Sequence, residues 1–324
     1  MTPLQQRLCN LLQRGVPICE RPFLQMAERL GTTESVVLEA IHQIQDLGVL
    51  RRIGPIVDPR AMGKVTTLVT SHVPDPPLRQ VVEAVNRLPG VSHNYLRRHY
   101  YNLWFTLQGD SPADIDRTLV QVGDPWGLEF HSLPARRTFK LEVYFDATGQ
   151  EPARSPAPEA PSPTPAQLTE SERAVLAGLQ QGLTITARPF DSLGQCEGSP
   201  GQIIAIVDSL IQKGAVRRVA GVMDHRALGF TANALLVAEV GHDQMTQAGR
   251  ALATLAEVSH CYQRDPFSGW PYTLYAMLHC RSVQDIHKIA DTFSQAEHAP
   301  NVLLLETAEE LKKRPVVHCL DQKR

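Results

Sequence analysis

Two stretches of this 324-residue chain repeat one arrangement of titratable side chains. In VSHNYLRRH, Val91 to His99, an extended strand turns His93, Tyr95, Arg97 and His99 to one face and Ser92, Asn94, Leu96 and Arg98 to the other. In VSHCYQR, Val258 to Arg264, the same alternation groups His260, Tyr262 and Arg264. Imidazole exchanges protons near neutral pH, and guanidinium holds carboxylates through two parallel hydrogen bonds. A face that carries both suits acid–base work on an anionic ligand. The copies are unequal: Pro266 stands where the first has His99, which predicts one composite site rather than two identical ones.

The elements that position these ladders are legible in order. Helices are expected over Leu4–Gln13, Pro22–Leu30 and Glu34–Leu47, with Gly31 and Gly48 as stops and Thr32 or Thr33 as a cap. VLRRIGPIVDP follows, and the whole reads as a winged helix-turn-helix. From Val65 the period becomes two: VTTLVTSHV, a helix from Pro77 to Leu88, the first ladder pair, a helix from Pro112 capped by Ser111, and a last strand from Gly127. The order β-α-β-β-α-β predicts a ferredoxin-like sheet with both helices on one side, so its other side needs a cover. Arg21-Pro22-Phe23 recurs as Arg188-Pro189-Phe190, VLRRIGPIVDPRAMG as AVRRVAGVMDHRALG, and VSHNY as VSHCY, at a near-constant offset. The expected fold class is therefore α+β, a tandem repeat forming an intramolecular pseudo-dimer. Its units are winged helix 1–60, ferredoxin-like 61–146, linker 147–167, winged helix 168–228 and ferredoxin-like 229–324. The linker's alternating Pro, Ala and Ser favour semi-rigid extended chain at about 3 Å per residue.

Composition sets the outer limits. A hydrophobic fraction of 43%, a charged fraction of 20% and a net charge of -2 fit an ordinary globular protein and give no global pull toward nucleic acid or anionic membrane. No apolar run approaches the roughly 18 to 20 residues that span a bilayer, and the N-terminus has no signal-peptide core, so a cytoplasmic location is expected. The six cysteines are scattered without a CxxC pair, which predicts reduced thiols and no metal site of the protein's own. Cys261 should point away from the ladder face.

The helical unit, the split β-α-β-β-α-β unit and their junction RRxGxxxDxRxxG resemble the Lrp/AsnC family. His93-Asn94-Tyr95 through Arg97 with Tyr101-Asn102-Leu103-Trp104-Phe105, and His260-Cys261-Tyr262 through Arg264 with Gly269-Trp270-Pro271-Tyr272, are similar to one branch of it, the sirohaem (siroheme) decarboxylases, with both subunits fused. The resemblance implies removal of carbon dioxide from two acetates of sirohaem to give 12,18-didecarboxysirohaem, in making a modified haem of the nitrite-reductase type. It implies a pigment held between two sheets, with no cofactor beyond the iron that the substrate carries. Arg97 and Arg264 would then hold carboxylates; His99 and His260 would donate protons, with Tyr95 and Tyr262 beside them as partners or secondary donors. His93, at the position equivalent to His260, joins the substrate contacts, and one histidine is a candidate iron ligand. Trp104, Trp270 and Tyr272 are candidate walls for the macrocycle, while Arg51, Arg52, Arg217 and Arg218 either reach its acids or stand solvated. The alternative is an Lrp-type regulator that senses a tetrapyrrole. Against DNA binding, TTESVVLEAIHQIQDL offers phosphate three acids and no Lys or Arg, and the second candidate helix offers only Lys213 at its far end. Further self-association of the chain is left open.

Overall fold

A computed structural model describes residues 1–151, 165–193, 199–297, 299–314 and 316. Most of the expected linker, 152–164, lies outside the described residues, as do Cys196 and Cys319. The first copy runs α1 (Pro3–Arg14), α2 (Pro22–Leu30), α3 (Glu34–Asp46), β1 (Leu50–Val57), β2 (Val65–Ser71), α4 (Leu78–Arg87), β3 (Val91–Arg97), β4 (Leu103–Gly109), α5 (Pro112–Gly123) and β5 (His131–Leu141). The second runs α6 (Glu170–Gln181), a 3-10 turn at Pro189–Leu193 in place of the second helix, α7 (Pro200–Gln212), β6 (Val216–Met223), β7 (Ala232–Ala238), α8 (Met245–Thr254), β8 (Val258–Arg264), β9 (Leu274–Cys280), α9 (Val283–Ala296) and β10 (Val302–Lys313). Helix ends follow local chemistry. Thr2 with Gln5 and Thr169 with Glu172 form capping boxes, Ser111 accepts from the Asp114 amide, and Gly31 closes α2 at φ 69.

Each ferredoxin-like unit has its expected strand order, β5-β2-β4-β3 and β10-β7-β9-β8, with its helices packed on one face. The other faces meet, and the sheets also join at their edges. β5 pairs with β2 through His131–Pro134 and then with β8 through Ala135–Leu141. β10 does the converse, pairing with β7 through Val302–Glu306 and with β3 through Thr307–Lys313. The exchange closes an eight-stranded barrel. A barrel of this size leaves an interior that side chains fill or that admits one small ligand.

The strands after the helices do not fold back as wings within their own copies. β1 pairs antiparallel with β6, with Ile53 opposite Gly221 and Gly54 opposite Ala220. α1 packs on β6 and α6 on β1, so the two helical units share one core that runs from Leu8, Phe23 and Ile41 to Val175, Phe190 and Val207. The chain after β5 returns to this core. Phe145 is buried there, its amide donating to Gln13 Oε1 (2.8 Å) and its carbonyl accepting from Gln13 Nε2 (2.9 Å), so a boundary at 146 cuts through a packed segment. Among the described residues no helix is long and apolar enough to cross a membrane.

The barrel interior is divided along its axis. At one end Trp104, Leu133, Leu235, Val237, Trp270, Tyr275 and Leu305 pack into an apolar cluster. The other end, toward the β1–β6 ribbon, is polar and carries the ladders.

Candidate active site

Cross-strand partners show which way the ladders face. Tyr95 lies opposite Trp104 and Tyr262 opposite Tyr275, all turned inward. Asn94 and Cys261 turn outward to the helices: Asn94 Nδ2 donates to Asn86 of α4 (3.0 Å), and Cys261 Sγ lies 3.7 Å from the Gly249 carbonyl of α8. Burial pushes the Cys261 thiol up to about 12, so it is an inert packing group.

His93, Tyr95, His260 and Tyr262 have protein on nearly every side yet keep accessible surface, so they line a hollow rather than fill a core. Burial pushes both imidazoles down to about 4, helped at His93 by Lys313 and Arg51 and at His260 by His93, Arg264 and Arg217. Both rings are neutral at pH 7. Ser92 Oγ lies 2.9 Å from His93 Nδ1, and Ser259 Oγ 2.8 Å from His260 Nδ1. With Nδ1 held, Nε2 is the atom turned to the hollow. Tyr262 and Tyr95 are held protonated by burial, Tyr95 with its hydroxyl pushed up to about 12.

Arg97 and Arg264 form the floor. They are 5% and 8% exposed, each guanidinium lies over the tyrosine of its own ladder at 5.4 and 4.9 Å, and each donates Nη1 to a backbone carbonyl, Leu305 and Leu133 respectively. Nε of each is buried without a partner, and among the described residues no carboxylate pairs with either. An unpaired buried cation is costly, and a ligand carboxylate would relieve it.

The rim comes from the ribbon. Arg51 Nη2 donates to Asp224 (2.5 Å) and Arg217 Nη2 to Asp58 (2.8 Å), reciprocal pairs across the two copies. Asp58 and Asp224 also accept from the amides of Arg60 and Arg226, as turn caps do. Arg52 and Arg218 occupy the other face of the ribbon, away from the hollow. Arg52 folds over Gly54 beside the end of α6, and Arg218 Nε donates to the Gln13 carbonyl (3.2 Å). Alternation along β1 and β6 forces this separation, so the four arginines do not act as one set.

His99 also lies off its expected face. β3 ends at Arg97, whose amide bonds to the Asn102 carbonyl (2.8 Å), and the chain turns before the alternation reaches His99. His99 Nδ1 accepts from the Tyr101 amide (3.1 Å), and its ring meets the edge of Trp270 at 5.4 Å. Trp270 (2% exposed) donates to Tyr275 Oη (2.7 Å), Trp104 donates to the Tyr101 carbonyl (2.7 Å), and Tyr272 packs on Trp270 at 4.6 Å. These four candidates therefore seal the apolar end with Phe267 and Tyr101 instead of lining the polar hollow. The longer second loop, DPFSGWPY, is the plug.

Ser92 and Ser259, which hold the ladder histidines, and His279, Glu310 and Lys313 were not singled out by sequence, whereas Asp58-Pro59-Arg60 and Asp224-His225-Arg226 stand out there as turn and cap pairs at the hinge, with a substrate role as the alternative. For the serines the signal was present, since Val-Ser-His occurs in both copies. For Glu310 and Lys313 there was none, because only the strand exchange places them opposite Tyr95 and His93.

Comparison with known proteins agrees with this architecture. The "AsnC-like ligand binding domain" matches residues 61–140 and 227–312, and the "Siroheme decarboxylase NirDL-like HTH domain" matches residues 5–51. Fold and paired ladders thus define a tandem protein of the AsnC-like class. The siroheme decarboxylase NirDL subunit of Paracoccus denitrificans is 34% identical over 312 residues, 95% of each chain. The siroheme decarboxylase NirD subunit of Stutzerimonas stutzeri is 42% identical over 142 residues, 44% of this chain and 93% of that one. A crystal structure of the siroheme decarboxylase NirDL in co-complex with an iron-uroporphyrin III analogue superposes with a TM-score of 0.74 at 28% identity, over 97% of this chain and 93% of that one. This chain belongs to the sirohaem decarboxylase family.

Proposed function

We propose that this chain removes carbon dioxide from two acetates of sirohaem, giving 12,18-didecarboxysirohaem in the cytoplasm, with the pigment lying across the polar mouth between barrel and ribbon. An apolar cluster fills one end of the eight-stranded barrel, whereas the mouth at the other offers a macrocycle with eight carboxylates cations at its rim and floor. The observation that carries the proposal is the pair of buried guanidiniums without carboxylate partners, Arg97 and Arg264, one in each ladder. Acetates reaching down to them would complete charge-assisted bidentate pairs.

Cleavage of the carbon–carbon bond leaves an electron pair on the exocyclic carbon, and the macrocycle delocalises it. A proton must then form the new carbon–hydrogen bond. His93 and His260 present Nε2 to the hollow, and Tyr95 and Tyr262 stand next to them at 6.3 and 6.1 Å between rings. Before the pigment binds, both imidazoles are neutral, held down by burial and neighbouring cations. A bound polycarboxylate reverses the sign of that local field, raises both pKa values and loads the donors with protons as it binds. The substrate thus arms the acid. His99, remote from the hollow, is left with a packing role in this scheme, and no cofactor is called for beyond the pigment's own ring.

A DNA-reading role has less support. The exposed face of α3 carries Glu39 and Asp46, and Lys213 at the end of α7 is held by Glu172 (2.7 Å). The test is anaerobic incubation of the pure chain with sirohaem followed by mass spectrometry. A product lighter by two carbon dioxide units is expected, and unchanged pigment overturns the proposal.

A further inference from the structure

The second copy places two histidines beside the hollow that the scheme above does not use. His225 lies in the turn after β6 and is 3% exposed, and His279 stands on β9 opposite Asn233. Their rings meet edge to face with centroids 5.0 Å apart, and both pack on Phe145, at 5.6 and 5.2 Å. Each carries a buried nitrogen without a partner, Nε2 of His225 and Nδ1 of His279. Native interiors rarely leave such atoms unmade, and two on adjacent rings call for an explanation.

On its outer side His225 Nδ1 lies 3.2 Å from Lys313 Nζ. An ammonium has only donors, so Nδ1 accepts, and neutral His225 carries its own hydrogen on the unpartnered Nε2. Lys313 also lines a solvent-open groove of about 370 Å³ formed by Asn86 and residues 310–314. On its inner side His279 lies two residues along β9 from Met277, the cross-strand partner of His260, and so shares its face of the strand. Lys313, His225, His279 and His260 thus lead from the groove to the hollow. The first copy has no counterpart, because Pro59 stands at the position of His225 and Gln108 at that of His279, and neither side chain exchanges a proton near neutral pH.

We propose that Lys313, His225 and His279 form a proton route that recharges the donor histidine after each decarboxylation, a role that rests on the decarboxylase reading. At every step carbon dioxide leaves, its bonding electron pair stays with the exocyclic carbon, and a proton from the donor imidazole forms the new carbon–hydrogen bond. The neutral donor regains a proton through His279. His279 takes one from Nε2 of His225 as the two rings, 5.0 Å apart between centroids, swing into hydrogen-bond contact. His225 is refilled at Nδ1 by the Lys313 ammonium, that group takes its proton from water in the groove, and a flip of the His225 ring restores the starting tautomer.

The test uses the full chain, wild type and the variants His225→Gln and His279→Gln, with sirohaem under anaerobic conditions. Both variants should bind the pigment within twofold of wild type by absorbance titration, with an unchanged pigment spectrum. Multiple-turnover release of carbon dioxide should fall by about tenfold or more, with a larger solvent isotope effect, and added imidazole should restore it. Variants that turn over like wild type, or that imidazole does not rescue, overturn the route. A changed spectrum of bound pigment on His279→Gln overturns it in favour of iron ligation. Wild-type protein that leaves sirohaem untouched removes the decarboxylase reading and the route together, whereas active wild type with unaffected variants removes the route alone.

Discussion

The two ladders carry the same three side chains in the same order and keep unlike company. In the first, β10 crosses over to set Glu310 opposite Tyr95 and Lys313 opposite His93. In the second, β5 sets Thr138 opposite Tyr262 and Leu141 opposite His260, and the charge it brings, Lys140, stands opposite Cys261 rather than opposite the histidine. The serine on each histidine and the arginine over each tyrosine are shared. Duplication has preserved what grips an anion and points Nε2, while divergence has fallen on the neighbours that set how readily each histidine takes a proton. Two acetates on one asymmetric pigment would call for that division.

The comparison is broken most directly at the histidines. His93→Ala and His260→Ala should each slow decarboxylation by about 10²- to 10⁴-fold, the range for loss of a general acid. If each ladder serves one acetate, each variant should accumulate pigment lighter by a single carbon dioxide, and mass spectra of the two products should place the remaining acetate on different rings. Equal slowing of both steps in both variants, with no intermediate, would mean that the ladders act as one.

The arginines separate binding from stability. Arg97→Leu and Arg264→Leu should each weaken pigment binding by roughly 10- to 100-fold, because a charge-assisted contact contributes about 1.5 to 3 kcal/mol. The same variants should melt no lower than wild type, since an unpaired buried cation has been replaced by an apolar group of similar bulk. Weaker binding with a large fall in Tm would instead show that these guanidiniums hold the barrel together.

The sequence carried the repeat, the capped helices and the inward face of the ladders because each of these has a local periodic signature. Val91 to Arg97 alternates as strands do, and that is enough to bring His93, Tyr95 and Arg97 together. It is not enough for His99, because where a strand stops depends on a turn bond from Arg97 to Asn102 that no local pattern encodes. Trp270 and Tyr272 were legible as large aromatics near a turn, but which barrel end they close depends on contacts with Tyr101 and His99 from the other copy. The exchange of β5 and β10 was equally hidden. Residues 306–313, ETAEELKK, are rich in good helix formers and are nonetheless held extended along β3 from Thr307 onward.

Acid should expose the shared weakness of the two ladders. His93, His260 and His225 sit at about 4 in the folded chain against about 6.5 when unfolded, all through burial first and nearby cations second. Between those values the unfolded chain binds protons that the native chain does not, so stability falls as pH drops from about 6.5 toward 4. Melting scans of the empty protein should show Tm decreasing across that window. A saturating pigment should flatten the curve by raising the folded-state values, and binding should take up protons, so its affinity should weaken as pH rises. Affinity independent of pH from 5 to 8 would sink the idea that the ligand arms its own acid.

The smallest effects belong to the ribbon, where the two faces can be set against each other. Arg51 and Arg217 look toward the hollow but are partly exposed, at 37% and 27%, and already paired with Asp224 and Asp58. Such contacts are worth no more than about 1 kcal/mol and are screened by salt, so Arg51→Gln and Arg217→Gln should weaken binding by roughly three- to fivefold at low ionic strength and less at high. Asp224→Asn should act in the opposite sense, because it frees the Arg51 charge for the pigment while the amide oxygen still caps the turn at Arg226. Arg52→Gln and Arg218→Gln, on the other face, should leave affinity within twofold. A loss of binding in that last pair, comparable to the loss in the first, would mean that the pigment reaches around the ribbon, and the mouth of the barrel would no longer be its only seat.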